Sequence, residues 1–174
     1  REEYTVPSLV RTVLESVVPV VIDGDGLFAL SWNEDGDPSF LVEREVATVL
    51  TPHDGEYALL TGHPPGEDRI AAAHRLAATT GATVLLKGPT TVVAAHDGRT
   101  LLVAKGSERL ATAGTGDVLS GLIGAFLAAG APAPEAAAAA AWVHAEAAAA
   151  GSPGMIAGDL LGTIPSVIER SRGG

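Results

Sequence analysis

The sequence predicts an α/β fold, a three-layer α/β/α sandwich with a mostly parallel central sheet and one β-hairpin. Short β-branched runs alternate with stretches of helical periodicity, which is the grammar of parallel strands covered on both faces. The first three such runs each end in polar residues. An Asp97-Gly98 pair between two further apolar runs supplies the hairpin, because Asp-Gly tolerates the positive φ of a tight turn.

From Pro7 to Val18, Leu9, Val10, Val13, Leu14 and Val17 recur on one helical face, so a helix is expected to pack on the sheet. Pro19-Val20-Val21-Ile22-Asp23 reads as a buried strand that exits through an acid into a Gly24-Asp25-Gly26 loop. The same pattern returns at Ala47 to Thr51, running into Pro52-His53, and at Thr83 to Lys87, running into Gly88-Pro89. In open parallel sheets the carboxyl ends of the strands face ligands. A second helix is expected to begin near Glu56, and Glu67 to Thr80 carries Ile70, Ala73, Leu76 and Ala77 on one side and stops at Gly81. Thr91 to Ala95 and Thr100 to Val103 are the hairpin strands. The firmest helices are Asp117 to Ala129 and Pro134 to Ala150, the second nearly all alanine and broken at helical spacing by Trp142, Val143 and His144.

At 174 residues the chain is long enough to bury a core, and 47% hydrophobic against 18% charged is the balance of a soluble globular domain. A net charge of -10 repels nucleic-acid backbones and anionic lipid, so any polyphosphate ligand must be held by local amides and metal. No cysteine occurs, which removes disulfides, thiolate metal sites and a cysteine nucleophile. The chain starts at Arg1-Glu2-Glu3 without a basic-plus-apolar leader, and no apolar run is long enough to span a bilayer. A cytoplasmic protein is expected, with no membrane and no nucleic-acid partner.

The sharpest chemical signal is Ala111-Thr112-Ala113-Gly114-Thr115-Gly116-Asp117 running into an amphipathic helix. Small residues let the amides of Gly114, Thr115 and Gly116 converge as an anion hole, at which the helix aims its positive end. Asp117 on the first turn is then a candidate base beside a phosphate; the plainer reading is a helix cap. At Lys87-Gly88-Pro89-Thr90-Thr91 the glycine allows close backbone approach, and the lysine and threonines can reach phosphate oxygens, whereas a plain strand-to-hairpin turn is the alternative. His53 has no partners at ligand spacing, so it is read as a substrate contact rather than a metal ligand, with a capped helix start as the bland alternative. No metal ligand is assigned.

In this order and spacing, "PVVIDGDGLFAL", "LTPHDGEYALLTG", "LLKGPTTVVA" and "LATAGTGDVLSGLIGAFLAAG" resemble the signature segments of NAD(P)H-hydrate dehydratases of the ribokinase-like superfamily. The last segment is shared across that superfamily, whereas Thr-Pro-His-x-Gly-Glu is more particular to the dehydratases. Asp54 departs from the family's common second proline, and Gly24 and Gly26 from its alanines. The resemblance implies that residues 1–174 are the C-terminal part of a ribokinase-like domain whose N-terminal strands and glycine-rich segment are absent, and that an NAD(P)HX epimerase domain lies upstream in many relatives. It also implies ADP- or ATP-dependent dehydration of (6S)-NADHX and NADPHX to NADH and NADPH, with Mg2+. His53 and Asp117 would then contact the hydrated dinucleotide, Asp117 acting catalytically. Lys87, Gly88, Pro89, Thr90, Thr91 and Gly116 would contact the nucleotide. A homo-oligomer is expected. Two other readings remain open: a vitamin-precursor kinase using the same anion hole, and a non-catalytic nucleotide-binding fragment.

Overall fold

A computed structural model describes residues 6–31 and 38–172; Arg1-Glu2-Glu3 lie outside them. Five strands form one sheet in the order of the chain: β1 (Val20–Ile22), β2 (Thr48–Leu50), β3 (Thr83–Leu86), β4 (Thr91–Ala94) and β5 (Thr100–Val103). The first three run parallel, with Val21 opposite Val49 and Leu50 opposite Val84. β3, β4 and β5 pair antiparallel, the last two as the expected hairpin, closed by the Ala95 amide donating to the Arg99 carbonyl at 3.0 Å. The sheet is therefore mixed, parallel on its β1 side.

Seven α-helices are described: α1 (Val6–Leu14), α2 (Asp25–Leu30), α3 (Asp54–Thr61), α4 (Arg69–Thr80), α5 (Thr115–Ala128), α6 (Ala133–Ala150) and α7 (Ala157–Arg172). They form two layers, and the strand alternation says which side each residue serves. Val20, Ile22, Leu50, Val84, Leu86, Val92 and Ala94 join the core beneath α1 to α4, while Val49, Leu85, Val93 and Val103 join the one beneath α5 and α6. Val49, Leu85 and Val93 are fully buried, each side chain stabilising the fold by roughly 1.5–3 kcal/mol relative to exposure. Ala136, Ala137 and Ala140 are also fully buried, and such small side chains let α6 lie close to the sheet. A third apolar cluster, with Val143, Leu160 and Val167, joins α6 to α7.

Several boundaries differ from expectation. The first helix ends at Leu14 rather than Val18, and only Val10 and Leu14 of its apolar face pack on the core; Leu9 and Val13 are about half exposed and Val17 is 85% exposed. Asp25 opens a short helix where a loop was expected, anchored by buried Leu27, Ala29 and Leu30. The phosphate-loop helix begins at Thr115, two residues before Asp117, because Gly114 takes φ 86°, a left-handed value that glycine adopts without steric cost. α7 carries Pro165 in its interior and was not assigned from sequence. Among the described residues no helix is long and apolar enough to cross a membrane.

Candidate functional site

The carboxyl ends of the three parallel strands meet at one edge, tied by backbone. The Thr51 amide donates to the Ile22 carbonyl at 3.2 Å, and the Lys87 amide to the Pro52 carbonyl at 2.8 Å. This brings Asp23, His53 and Lys87 onto adjacent chain ends, and the start of α5 arrives over them. A Cβ on Gly116 would stand 3.3 Å from Asp23 Oδ2 and 3.8 Å from Lys87 Nζ, so a bare helix start adjoins an ion pair.

That pair is the electrostatic centre. Lys87 Nζ donates to Asp23 Oδ1 at 2.8 Å and lies 3.4 Å from Glu56 Oε2, while the Ser120 hydroxyl donates to Asp23 Oδ2 at 3.0 Å. Burial alone would raise the Asp23 carboxyl. The Lys87 hydrogen bond and charge, with Thr51 and Ser120, outweigh burial and hold it below the ordinary carboxylate range.

His53 serves the fold first. Its Nδ1 accepts from the amides of Gly55 (3.0 Å) and Glu56 (3.1 Å), and Glu56 reciprocates by accepting from the His53 amide at 2.8 Å. This is a capping box, with imidazole in place of the usual hydroxyl. The bland expectation for His53 is therefore realised on one face of the ring, and it fixes Nδ1 as the acceptor. Nε2 lies 3.5 Å from Glu56 Oε1, the side chain is 58% exposed, and His53 still borders the cleft described next.

A cleft of about 910 Å³ opens along this edge, and His53, Lys87, Gly88, Pro89, Thr91, Thr115 and Gly116 line it. Most of the expected site residues thus meet in one cavity. Thr90, Gly114 and Asp117 are not on its wall; Asp117 is exposed on the first turn of α5, adjoining Gly116. Of the three amides expected to form an anion hole, that of Thr115 is engaged within the turn. The Thr115 amide donates back to the Thr112 carbonyl at 3.3 Å, and its hydroxyl donates to Leu110 and Thr112 carbonyls at 2.7 and 2.9 Å. The amides of Gly114, Gly116 and Asp117 donate to no backbone acceptor among the described residues.

Sequence reasoning missed the opposite wall, formed by Ala104 to Glu108, Leu110 and Ala111 after β5 and by Ala141, His144 and Ala145 of α6. His144 is 5% exposed and its Nε2 has no hydrogen-bond partner among the described residues. Burial pushes its pKa below the usual imidazole value, against a smaller opposing effect of the Thr115 backbone. It interrupts an alanine helix, which was the one signal available. Asp23 was visible as an acid at a strand end but received no role. Arg69 gave no signal at all, yet its guanidinium donates to Asp54 Oδ1 and to the Lys87 carbonyl, both at 2.7 Å.

A family model described as NAD(P)H-hydrate dehydratase matches residues 1–167. The bifunctional NAD(P)H-hydrate repair enzyme Nnr of Mycobacterium leprae is 54% identical over 143 residues, 81% of this chain and 29% of that protein. The ADP-dependent (S)-NAD(P)H-hydrate dehydratase of Neisseria meningitidis is 44% identical over 151 residues, 84% of this chain and 50% of that protein. The ADP/ATP-dependent NAD(P)H-hydrate dehydratase of Bacillus subtilis, co-crystallised with ATP and Mg2+, superimposes with TM-score 0.80 at 30% identity, covering 92% of this chain and 58% of that one. The chain spans half or less of the length of these two curated relatives. The fold is ribokinase-like, as the sequence leads one to expect.

Proposed function

Because the chain belongs to the NAD(P)H-hydrate dehydratase family, we propose that it carries the C-terminal part of an enzyme that uses ADP or ATP to dehydrate hydrated NADH and NADPH. The observation that carries this reading is convergence: His53, Lys87 and Gly116, from three separate segments, line one cleft, with Asp117 on the helix turn that opens over it. The dinucleotide segment and the nucleotide segment are then neighbours, as a transfer between two bound molecules requires.

The hydroxyl of the hydrated ring leaves poorly as hydroxide. Asp117 takes its proton, the oxygen attacks the terminal phosphorus of the nucleotide, and the bond from that phosphorus to the bridging oxygen breaks, releasing AMP from ADP or ADP from ATP. The ring nitrogen then expels phosphate, and loss of a ring proton completes the dihydronicotinamide. The amides of Gly116 and Asp117 and the positive end of α5 stabilise charge on the transferring group. Lys87, anchored by Asp23, presents its ammonium beside that helix start. His53 Nε2 faces the dinucleotide while Nδ1 stays in the cap.

Mg2+ commonly binds through one or two carboxylates together with substrate phosphates. Asp23 and Glu56, the two acids held on Lys87, offer oxygen donors of that kind and would hold it against the nucleotide, where it neutralises phosphate charge. Among the described residues no group of three or more acidic or imidazole side chains forms a complete cage, so phosphate oxygens would have to finish the coordination. A cytoplasmic homo-oligomer with an upstream NAD(P)HX epimerase domain completes the proposal; the Mycobacterium leprae relative is named a bifunctional repair enzyme.

Mixing the protein with hydrated NADH and ADP or ATP tests the reading. NADH absorbance should return in proportion to nucleotide consumed. Nucleotide consumed on a vitamin-precursor alcohol, with hydrated NADH untouched, would favour the kinase.

A further inference from the structure

We propose that Arg69 is a positioning residue that locks the dinucleotide-facing segment, His53 to Glu56, to the nucleotide-facing strand end at Lys87 and Gly88; the ligand names rest on the function proposed above. Arg69 is the first residue of α4, and its side chain reaches back to the carboxyl edge of the sheet. One arm of the guanidinium donates to Asp54 Oδ1 and the other to the Lys87 carbonyl, each at 2.7 Å. The group is planar and its donors sit in a rigid fork, so holding both acceptors fixes their separation.

A Cβ on Gly88 would stand 2.7 Å from Arg69 Nη2, 3.1 Å from Cζ and 3.3 Å from Nε, so the guanidinium fills the space that any side chain at Gly88 would need. Nε is buried and has no hydrogen-bond partner among the described residues, so the two terminal nitrogens carry the polar contacts of the group. Arg69 is not on the wall of the cleft, so it acts through the residues that are. Two of those residues, His53 and Lys87, lie on either side of the clamp: His53 precedes Asp54 and shares the α3 capping box with Glu56, and Lys87 reaches Asp23 and Glu56. The Asp54 side chain is 58% exposed, so the ion pair by itself adds little stability, and position is what the contact supplies.

The test compares Arg69→Met, Arg69→Lys and Asp54→Ala in the intact protein. Amide hydrogen exchange of the ligand-free protein should quicken about 10-fold in Arg69→Met at both segments together, 53–57 and 87–91, while the α6 core is unchanged. With hydrated NADH and ADP, kcat/KM should fall by roughly 10- to 100-fold, with the loss shared between kcat and KM because a small displacement affects both binding and alignment. Arg69→Lys, which can reach one acceptor at a time, should fall between, and Asp54→Ala combined with Arg69→Met should be no worse than Arg69→Met alone. Parental exchange at both segments, or exchange that quickens throughout the molecule, would overturn the clamp. If the parent protein fails to restore NADH, the functional reading falls, and the exchange measurement still decides whether Arg69 ties the two segments.

Discussion

Lys87 Nζ stands 2.8 Å from Asp23 Oδ1, joining residues 64 apart in sequence at the point where α5 begins over the sheet. The pair holds a cation beside helix amides that have no backbone acceptor among the described residues. Lys87→Ala should therefore weaken ADP binding by about 10- to 100-fold, the loss expected for one charge-assisted contact. Titration calorimetry checks this; unchanged affinity would make Lys87 a structural partner of Asp23 alone.

Asp23→Asn should change the acid limb of stability. The folded carboxyl is held below its ordinary value of 3.8, so the unfolded chain binds protons first as pH falls. That contribution is present above pH 3.8 and is lost as pH drops through the lower folded value. Urea midpoints from pH 6 downward should therefore fall less steeply in the variant than in the parent.

His144 works in the other direction. Its folded pKa is lowered from 6.5 by burial, so below that pH the unfolded chain takes up a proton that the native ring resists. Stability should rise with pH through the region just below 6.5 and level above it. In His144→Leu the difference between denaturant midpoints at pH 5.5 and pH 7.5 should shrink; an unchanged difference would assign the slope to other groups.

Gly116→Ala probes the junction between the ion pair and the helix start. The added methyl would press against Asp23 Oδ2 at 3.3 Å and stand near Lys87 Nζ, in the space where the proposed function would bring phosphate oxygens to the amides. Nucleotide affinity should fall by at least about 10-fold, the effect of losing one good hydrogen bond to a charged group, with the thermal midpoint within a few degrees of the parent. Calorimetry with ADP, alongside thermal melting, checks both halves.

What the sequence made legible was periodic or local. The continuous apolar runs of β1, β3 and β4, set between helical stretches, announce a sheet buried on both faces, and Gly81 and Gly151 mark helix ends where α4 and α6 stop. Lys87, His53 and the Gly114 to Asp117 turn stand out as candidates because each follows a strand or opens a helix. The rest depends on long-range contact. Nothing near Arg69 in sequence points to the Lys87 carbonyl, and the Ala104 to Glu108 wall faces the cleft only because β5 turns back beneath α6. α7 escaped because Gly158, Gly162 and Pro165 weaken its helical signal, which packing of Leu160, Ile164 and Val167 overrides.

The central claim is that the exposed carboxylate on the first turn of α5 accepts the proton of the ring hydroxyl, and Asp117→Asn in the complete domain tests it. Asparagine keeps the size and hydrogen-bonding capacity at the helix start while removing the base. Initial rates of NADH return from hydrated NADH with ADP should fall by roughly 100- to 10,000-fold, the range of general-base catalysis. ADP affinity should be kept or slightly tightened, because a negative charge near the phosphates is gone. A variant that restores NADH at the parental rate would reduce Asp117 to a helix-start residue and contradict the mechanism.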